Sequence, residues 1–178
     1  MPQLITPDVR LKDSFLSAMA EFADEGRTGD NSGIGSDLEQ WTGRWESDEG
    51  IAAYVAEKVA ECDGVRSDDW VLCTNLWWVD GDEYVGRMSI RHELNYWLRE
   101  VGGHIGYDVR RSRRREGHAT AMLAAALEIA GELGIDRALI TCDDDNIGSR
   151  LVIERNGGVL EDVRKGKMRY WVATRPDV

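Results

Sequence analysis

The chain has 178 residues, 42% of them hydrophobic and 31% charged, with 22 basic against 33 acidic side chains and a formal net charge of −11. That is enough chain to bury one continuous core, so the simplest organisation is a single domain over 1–178. The acid excess disfavours nucleic acid and anionic membranes as partners, and no apolar run approaches the roughly 18 residues a membrane span needs. The opening MPQLITPDVR lacks a signal peptide's apolar segment, and Cys62, Cys73 and Cys142 share no C-x-x-C spacing, which points to a reducing, cytoplasmic compartment.

Leu11, Phe15, Met19 and Phe22 recur at helical spacing and stop at Gly26, predicting a first amphipathic helix. Residues 26–46 are glycine-rich and aperiodic and read as a loop or flap that ends, at most, in a short helix. Ser47 caps a second predicted helix with a buried stripe of Ile51, Tyr54, Val55, Val59 and Cys62. WVLCTNLWWV and YVGRMSIR read as strands of a hairpin through Asp80-Gly81. HELNYWLREVGG is a short helix or an irregular connection, and HIGYDVR is a strand.

A long helix follows, with Met122, Ala126, Ile129 and Leu133 on one face, Leu123, Leu127 and Ala130 beside them, and Gly134 as terminator. RALITC is an apolar strand, DDDNIGSRLVIERNGG a capped helix, and VLEDV and MRYWVAT a closing hairpin across RKGK. Trp41, Trp45, Trp77, Trp78 and Trp97 either line a pocket or pack in a core or interface.

One stretch stands against the overall charge. Five arginines fall between Arg110 and Arg115, directly ahead of the long helix. The first N–H groups of a helix lack intrahelical acceptors and carry the positive end of its dipole. Gly117 lets a ligand approach the backbone and Ala119 keeps the first turn small, so strand, turn and helix together form a site suited to a pyrophosphate. Five solvated arginines on a turn are the alternative.

Arg114-x-x-Gly117-x-Ala119 resembles the R/Q-x-x-G-x-G/A pattern of the GNAT superfamily of acyl-CoA-dependent N-acyltransferases. The strand ending Tyr107-Asp108-Val109-Arg110 and the segment Asn146-x-x-Ser149 through Glu154-Arg155-Asn156-Gly157 extend the likeness over about residues 70–175. HELN, GGHIGYDVR, CDDDN and NGG are similar to a bacterial branch of unassigned substrate. The resemblance implies an α/β fold with a central, mostly antiparallel sheet whose fourth and fifth strands splay, flanked by helices.

It also implies acetyl-CoA as cosubstrate and a primary amine, on a small molecule or a protein, as acceptor in a direct attack on the thioester. Val109 would pair with the pantetheine arm. Arg110 and the amides of Arg114, Arg115, Glu116, Gly117, His118, Ala119 and Thr120 would hold the pyrophosphate. Asn146 and Ser149 would contact the arm, and Arg155 would approach the adenine end.

An alkylamine of pKa near 10.4 is neutral in only about one molecule in two thousand at pH 7, so the site must remove a proton. Glu93 and Asp108 are the candidate acceptors, with His92 and His104 behind them. The departing thiolate needs a proton or a hydrogen bond. The position at which many family members place a tyrosine is here Ile153, so Tyr107, Cys142, Tyr170 or solvent must serve. That departure also motivates the alternative of a CoA-binding or sensing module without catalysis.

Asp143, Asp145, Gly148 and Glu154 match four positions of a calcium-binding loop, but Ile147 breaks it and the stretch is needed as a helix. The histidines and cysteines share no zinc spacing, so no metal is expected. Oligomeric state stays open, a homodimer included.

Overall fold

The computed structural model describes residues 1–64 and 69–175. In chain order its elements are β1 (Gln3–Ile5), α1 (Lys12–Asp24), α2 (Gly33–Trp41), α3 (Asp48–Ala60), β2 (Cys73–Asp80) and β3 (Glu83–Arg91). Then come β4 (Ile105–Val109), α4 (His118–Glu132), β5 (Arg137–Asp143), α5 (Ile147–Arg155), β6 (Val159–Arg164) and β7 (Lys167–Ala173). The strands form two antiparallel groups, ordered β1-β2-β3-β4 and β5-β7-β6. β4 and β5 are therefore facing edges with no ladder between them, which is the splayed, mixed α/β arrangement the resemblance implies.

Two apolar cores lie on opposite faces of β2–β4. Val85, Met88 and Ile90 of β3 and Ile105 and Val109 of β4 pack on Met122, Leu123 and Ala126 of α4 and on Ala138 and Ile140 of β5. On the other face Trp77, Val79 and Tyr84 pack against α1, α2 and α3. Phe15 is the hub of that second core. Its ring lies 5.1 Å from Trp45, 5.2 Å from Tyr54, 5.0 Å from Trp77 and 5.4 Å from Tyr84.

Several sequence expectations need correction. Residues 26–46 carry their short helix in the middle rather than at the end, and it is core rather than flap: Ser32 caps α2, accepting from the Gly35 N–H at 3.0 Å, and Ile34, Leu38 and Trp41 are buried. The glycines that hide this helix from its propensity serve packing, because a side chain at Gly35 would strike the Arg27 carbonyl. β1 is too short to show a pattern and is held by pairing with β2. In α3 only Ile51 and Tyr54 are buried, Val59 is exposed, and Cys62 lies beyond the helix. On α4 the buried face is Met122, Leu123, Ala126, Leu127 and Ala130, while Leu133 is exposed. Trp41, Trp45 and Trp77 are core in one layer and Trp78 in the other, whereas Trp97 is exposed. HELNYWLREVGG ends in one π-turn, Leu98–Gly102.

The two hairpins turn at the positions read from sequence. Gly81 has φ +61°, and Lys165-Gly166 have φ +51° and +74°, as a two-residue turn between antiparallel strands requires.

The edges of β4 and β5 touch at their neck. The His104 N–H donates to the Leu139 carbonyl at 2.7 Å, and the Leu139 N–H donates to His104 Nδ1 at 2.9 Å. The imidazole thus takes the place of a main-chain acceptor. Burial, with Arg99 and Arg91 nearby, pushes the His104 pKa down to about 4, so it stays an acceptor at neutral pH.

Two outcomes follow. Phe15→Ala should lower unfolding free energy by about 3–5 kcal/mol in urea denaturation, because four surrounding rings cannot collapse into the space. For His104 the folded value lies below the unfolded one near 6.5, so protonation favours the unfolded chain. Its contribution is complete above about pH 6.5 and is lost as pH falls toward 4. His104→Gln, which keeps an acceptor without titrating, should flatten the decline of the urea midpoint between pH 7 and pH 4.5.

Candidate active site

The chain leaves β4 at Val109, makes one 3₁₀ turn over Arg111–Arg113, and enters α4 at His118. Between them Arg115 has φ +66° and Gly117 φ +86°. Alternating left-handed residues turn successive N–H groups toward one side, which makes an anion-binding concavity. Gly117 is the N-cap and supplies no side-chain cap, so the N–H groups of His118, Ala119 and Thr120 have no helical acceptor. Nothing lies within 4 Å of where a Gly117 Cβ would stand, so φ rather than space demands glycine there, and the open side is free for a ligand.

This turn opens into a groove of about 540 Å³ between β4, α4 and α5. Of the residues singled out from sequence, the groove is lined by Tyr107, Asp108, Val109, Arg114, Arg115, Gly117, His118, Ala119, Thr120, Asn146, Ser149 and Arg155. Arg27 and Arg113 join them; Arg113 belongs to the arginine cluster read from sequence, whereas Arg27 was not visible there as a site residue. Arg27 gave no signal because its loop meets β4 only through tertiary folding.

Pairing to β3 fixes which way β4 presents its backbone. Asp108 lies opposite Arg87, and the Arg110 N–H donates to the Val85 carbonyl at 2.9 Å, so the even-numbered residues face β3. The main-chain groups of Tyr107 and Val109 then face the gap toward β5, since alternate residues of a strand serve opposite edges. The Val109 carbonyl accepts from Arg114 Nε at 2.9 Å.

Most of the arginine cluster is committed inside the protein. Arg110 is buried on Glu21 and takes no part in the groove lining. Burial alone would raise the Glu21 carboxyl, but Arg110 and Ser112 bring it below the usual range. Arg114 holds Glu25 through both terminal nitrogens at 2.5 and 2.8 Å. Arg113 joins Glu83, Asp80 at 3.2 Å and Glu116 at 2.9 Å. Glu116 points to Arg113 and does not line the groove. His118 is buried, with Nδ1 accepting from Trp78 Nε1 at 3.1 Å and Nε2 3.2 Å from Glu116, so it offers the groove its backbone rather than a free imidazole.

At the opposite lip Asn146 caps α5 by accepting from the Ser149 N–H at 3.0 Å. Across the gap, the Tyr107 hydroxyl lies 2.6 Å from Ser149 Oγ. Burial raises the Tyr107 phenol well above its ordinary value, with Ser149 opposing, so the group keeps its proton. Asp108 is the only carboxylate lining the groove among the described residues. Its Oδ1 meets Arg27 at 3.0 Å and its Oδ2 meets Arg87 at 3.5 Å.

The other candidates lie elsewhere. Glu93 is exposed beyond β3 and outside the groove lining. Cys142 is packed in the α4 core, where burial raises its thiol. Tyr170 is buried and donates to Glu154 at 3.2 Å. His92 pairs with Thr74 at 2.8 Å. Ile153 is fully buried, so this helix position faces core rather than groove. Among the described residues no cluster of His, Cys, Asp or Glu could hold a metal ion, and no helix is long and apolar enough to cross a membrane.

The family model of the acetyltransferase (GNAT) domain matches residues 34–159, more than two thirds of the chain. The chain belongs to the GNAT acetyltransferase family. No curated protein matches it. Solved structures matching over 97% of the chain include the microcin C7 self-immunity acetyltransferase MccE in complex with acetyl-CoA and AMP, at 13% identity over 92% of that chain with TM-score 0.65. Another is RimJ of Mycobacterium smegmatis in complex with CoA-disulfide, at 19% identity over 81% of that chain with TM-score 0.65. A third is RimL, a ribosomal L7/L12 α-N-protein acetyltransferase in complex with coenzyme A, at 17% identity over 93% of that chain with TM-score 0.64. At such identities the likeness is one of fold.

Gly117→Val should destabilise this GNAT domain by about 1–2 kcal/mol, the cost of a side chain in the left-handed region. Urea denaturation measures it, and a Gly131→Ala control, 3.4 Å from a flexible Arg175 side chain, should be milder.

Proposed function

We propose that the protein is an acetyl-CoA-dependent N-acetyltransferase of one catalytic domain, in which a primary amine attacks the thioester directly, without a covalent enzyme intermediate. The observation that carries this reading is the turn from Arg114 to Thr120, with left-handed Arg115 and Gly117 and uncapped amides, set at the mouth of a groove along the unpaired edge of β4. The residues present fit a pyrophosphate and an extended pantetheine arm: free N–H groups at one end, a bare strand edge along the middle.

Acetyl-CoA supplies an activated acetyl group. The amides of residues 115–120 hold its diphosphate, and exposed Arg115 and Arg155 add long-range attraction. The gap-facing main chain of Val109 aligns the arm, and Asn146 and Ser149 close the other side. Arg114 works indirectly: tied to Glu25 and to the Val109 carbonyl, it fixes the turn relative to the strand end.

Asp108 is the proton acceptor for the incoming ammonium, directly or through water, since each of its oxygens keeps a lone pair beyond its arginine contact. Tyr107, protonated and aimed at Ser149 across the gap, donates to the leaving thiolate in place of the tyrosine that Ile153 replaces. The acceptor is a small-molecule amine or a protein amino group. The Tyr107 hydroxyl counts against the alternative of a module without catalysis, since a proton donor stands in the groove.

Thiol release from acetyl-CoA across an amine panel should exceed the protein-free rate. Tyr107→Phe should lower kcat by about 10²-fold while leaving CoA affinity within about twofold. Failure to bind CoA would overturn the reading, and binding without turnover on any amine would favour the non-catalytic module.

A further inference from the structure

The face of β2 and β3 turned toward α2 and α3 changes character along its length. Beyond the aromatic core it becomes polar, with Arg87, Ser89 and Arg91 alternating along β3 against the apolar Met88 and Ile90 of the opposite face. Ser89 donates to Asn75 at 2.8 Å, and Asn75 donates to Glu61 at 2.7 Å. Arg87 holds Asp37 at 2.5 Å and Asp108 at 3.5 Å.

Arg91 breaks this pattern of compensation. Six described arginines are not exposed: Arg27, Arg87, Arg91, Arg110, Arg113 and Arg169. Five of them hold carboxylates, namely Asp108, Asp37, Glu21, Glu83 and Asp162 in turn. Arg91 holds none among the described residues. Its Nη1 reaches the Gly102 and Gly103 carbonyls, at 3.2 and 3.5 Å, while its Nε and Nη2 have no acceptor among the described residues and are not sealed from solvent. Burial pushes this guanidinium below its ordinary value, with Arg87 adding to the fall and the charges of Asp108 and Glu61 opposing it from beyond contact distance. The unused Nε and Nη2 form one edge of the planar group, the fork that takes a carboxylate through two parallel bonds.

Position gives the charge a use. The atoms nearest to where a Gly106 Cβ would stand are Arg91 Nη1 and Nη2, at 3.2 and 3.6 Å. The guanidinium therefore rests over β4 three residues before Val109, on the sheet face away from α4. A bound anion there and an amine at the gap beside Val109 would stand on the order of 5–10 Å apart, at about 3.3 Å per strand residue.

We propose that Arg91 is the anion subsite for the acceptor, and that the acceptor is a primary amine bearing a carboxylate. This rests on the N-acetyltransferase reading above. The carboxylate is a side-chain one, of free glutamate or of an acidic residue next to a peptide's amino terminus, because an α-carboxyl lies too close to its own amine to span that distance.

Two matched panels test it: free glutamate against glutamine, and tripeptide amides with Asp or Glu against Asn or Gln at the second position. One panel should show a carboxylate preference of about 30-fold or more in kcat/KM, lost in Arg91→Gln through KM and partly kept in Arg91→Lys, with CoA affinity unchanged. Arg91→Met should unfold no earlier than the wild type, since it removes a partly desolvated charge that no described carboxylate contacts. Equal use of acid and amide in both panels, an equal loss on all acceptors in Arg91→Gln, or a lowered Tm in Arg91→Met would overturn the proposal. If CoA binds but no amine is acetylated, the transfer reading fails by itself. Calorimetric titration of the same acids and amides into CoA-saturated protein then decides the subsite: acid-selective binding that Arg91→Gln abolishes supports it, and its absence overturns it.

Discussion

Where β4 and β5 leave the His104–Leu139 contact they stop sharing hydrogen bonds, and their main-chain groups are left to find other partners. A sheet interior would satisfy them with a neighbouring strand. Here the neighbour swings away and α5 fills only the far side, so Val109 presents an open edge to a groove. Strand-like backbone with nothing beside it accepts an extended ligand as readily as another strand, which is how one topological break becomes a site for a linear coenzyme arm.

The arginine cluster takes part in a different way from what its charge suggests. Arg110, Arg113 and Arg114 are held by Glu21, Glu83 and Glu25, so α1 and the β2–β3 hairpin clamp the turn. What remains for a ligand is largely the backbone, shaped by two left-handed residues. This explains why an acidic protein can concentrate cations at one turn: its own carboxylates consume most of them and convert charge into rigidity. It also separates these arginines from Arg91, which no carboxylate among the described residues contacts.

Legibility in the sequence followed the range of the interaction responsible. Ser47 capping α3, Asp80-Gly81 turning a hairpin, and Arg114 to Ala119 preceding an apolar helix are all contacts between residues a few positions apart. Helix α2 escaped because Gly33 and Gly35 depress its propensity. They are there for close packing, Gly33 beside the Arg87 guanidinium and Gly35 beside the Arg27 carbonyl. The proton-donor candidates were three in sequence because Tyr107, Cys142 and Tyr170 are equally plausible chemically. Only the fold separates a hydroxyl across a groove from a thiol in a core and a phenol turned to Glu154.

Read alone, the sequence determined the element order from α3 onward, the turn built for an anion, and the family these imply, because hydrophobic period, caps and glycine placement act locally. The tertiary structure alone decided which tryptophans are core, which arginines are neutralised, that Asp108 rather than Glu93 borders the groove, and that Arg91 touches no carboxylate among the described residues. Each of those depends on partners tens of residues distant along the chain, and a side chain's charge or size does not specify which partner folding will bring to it.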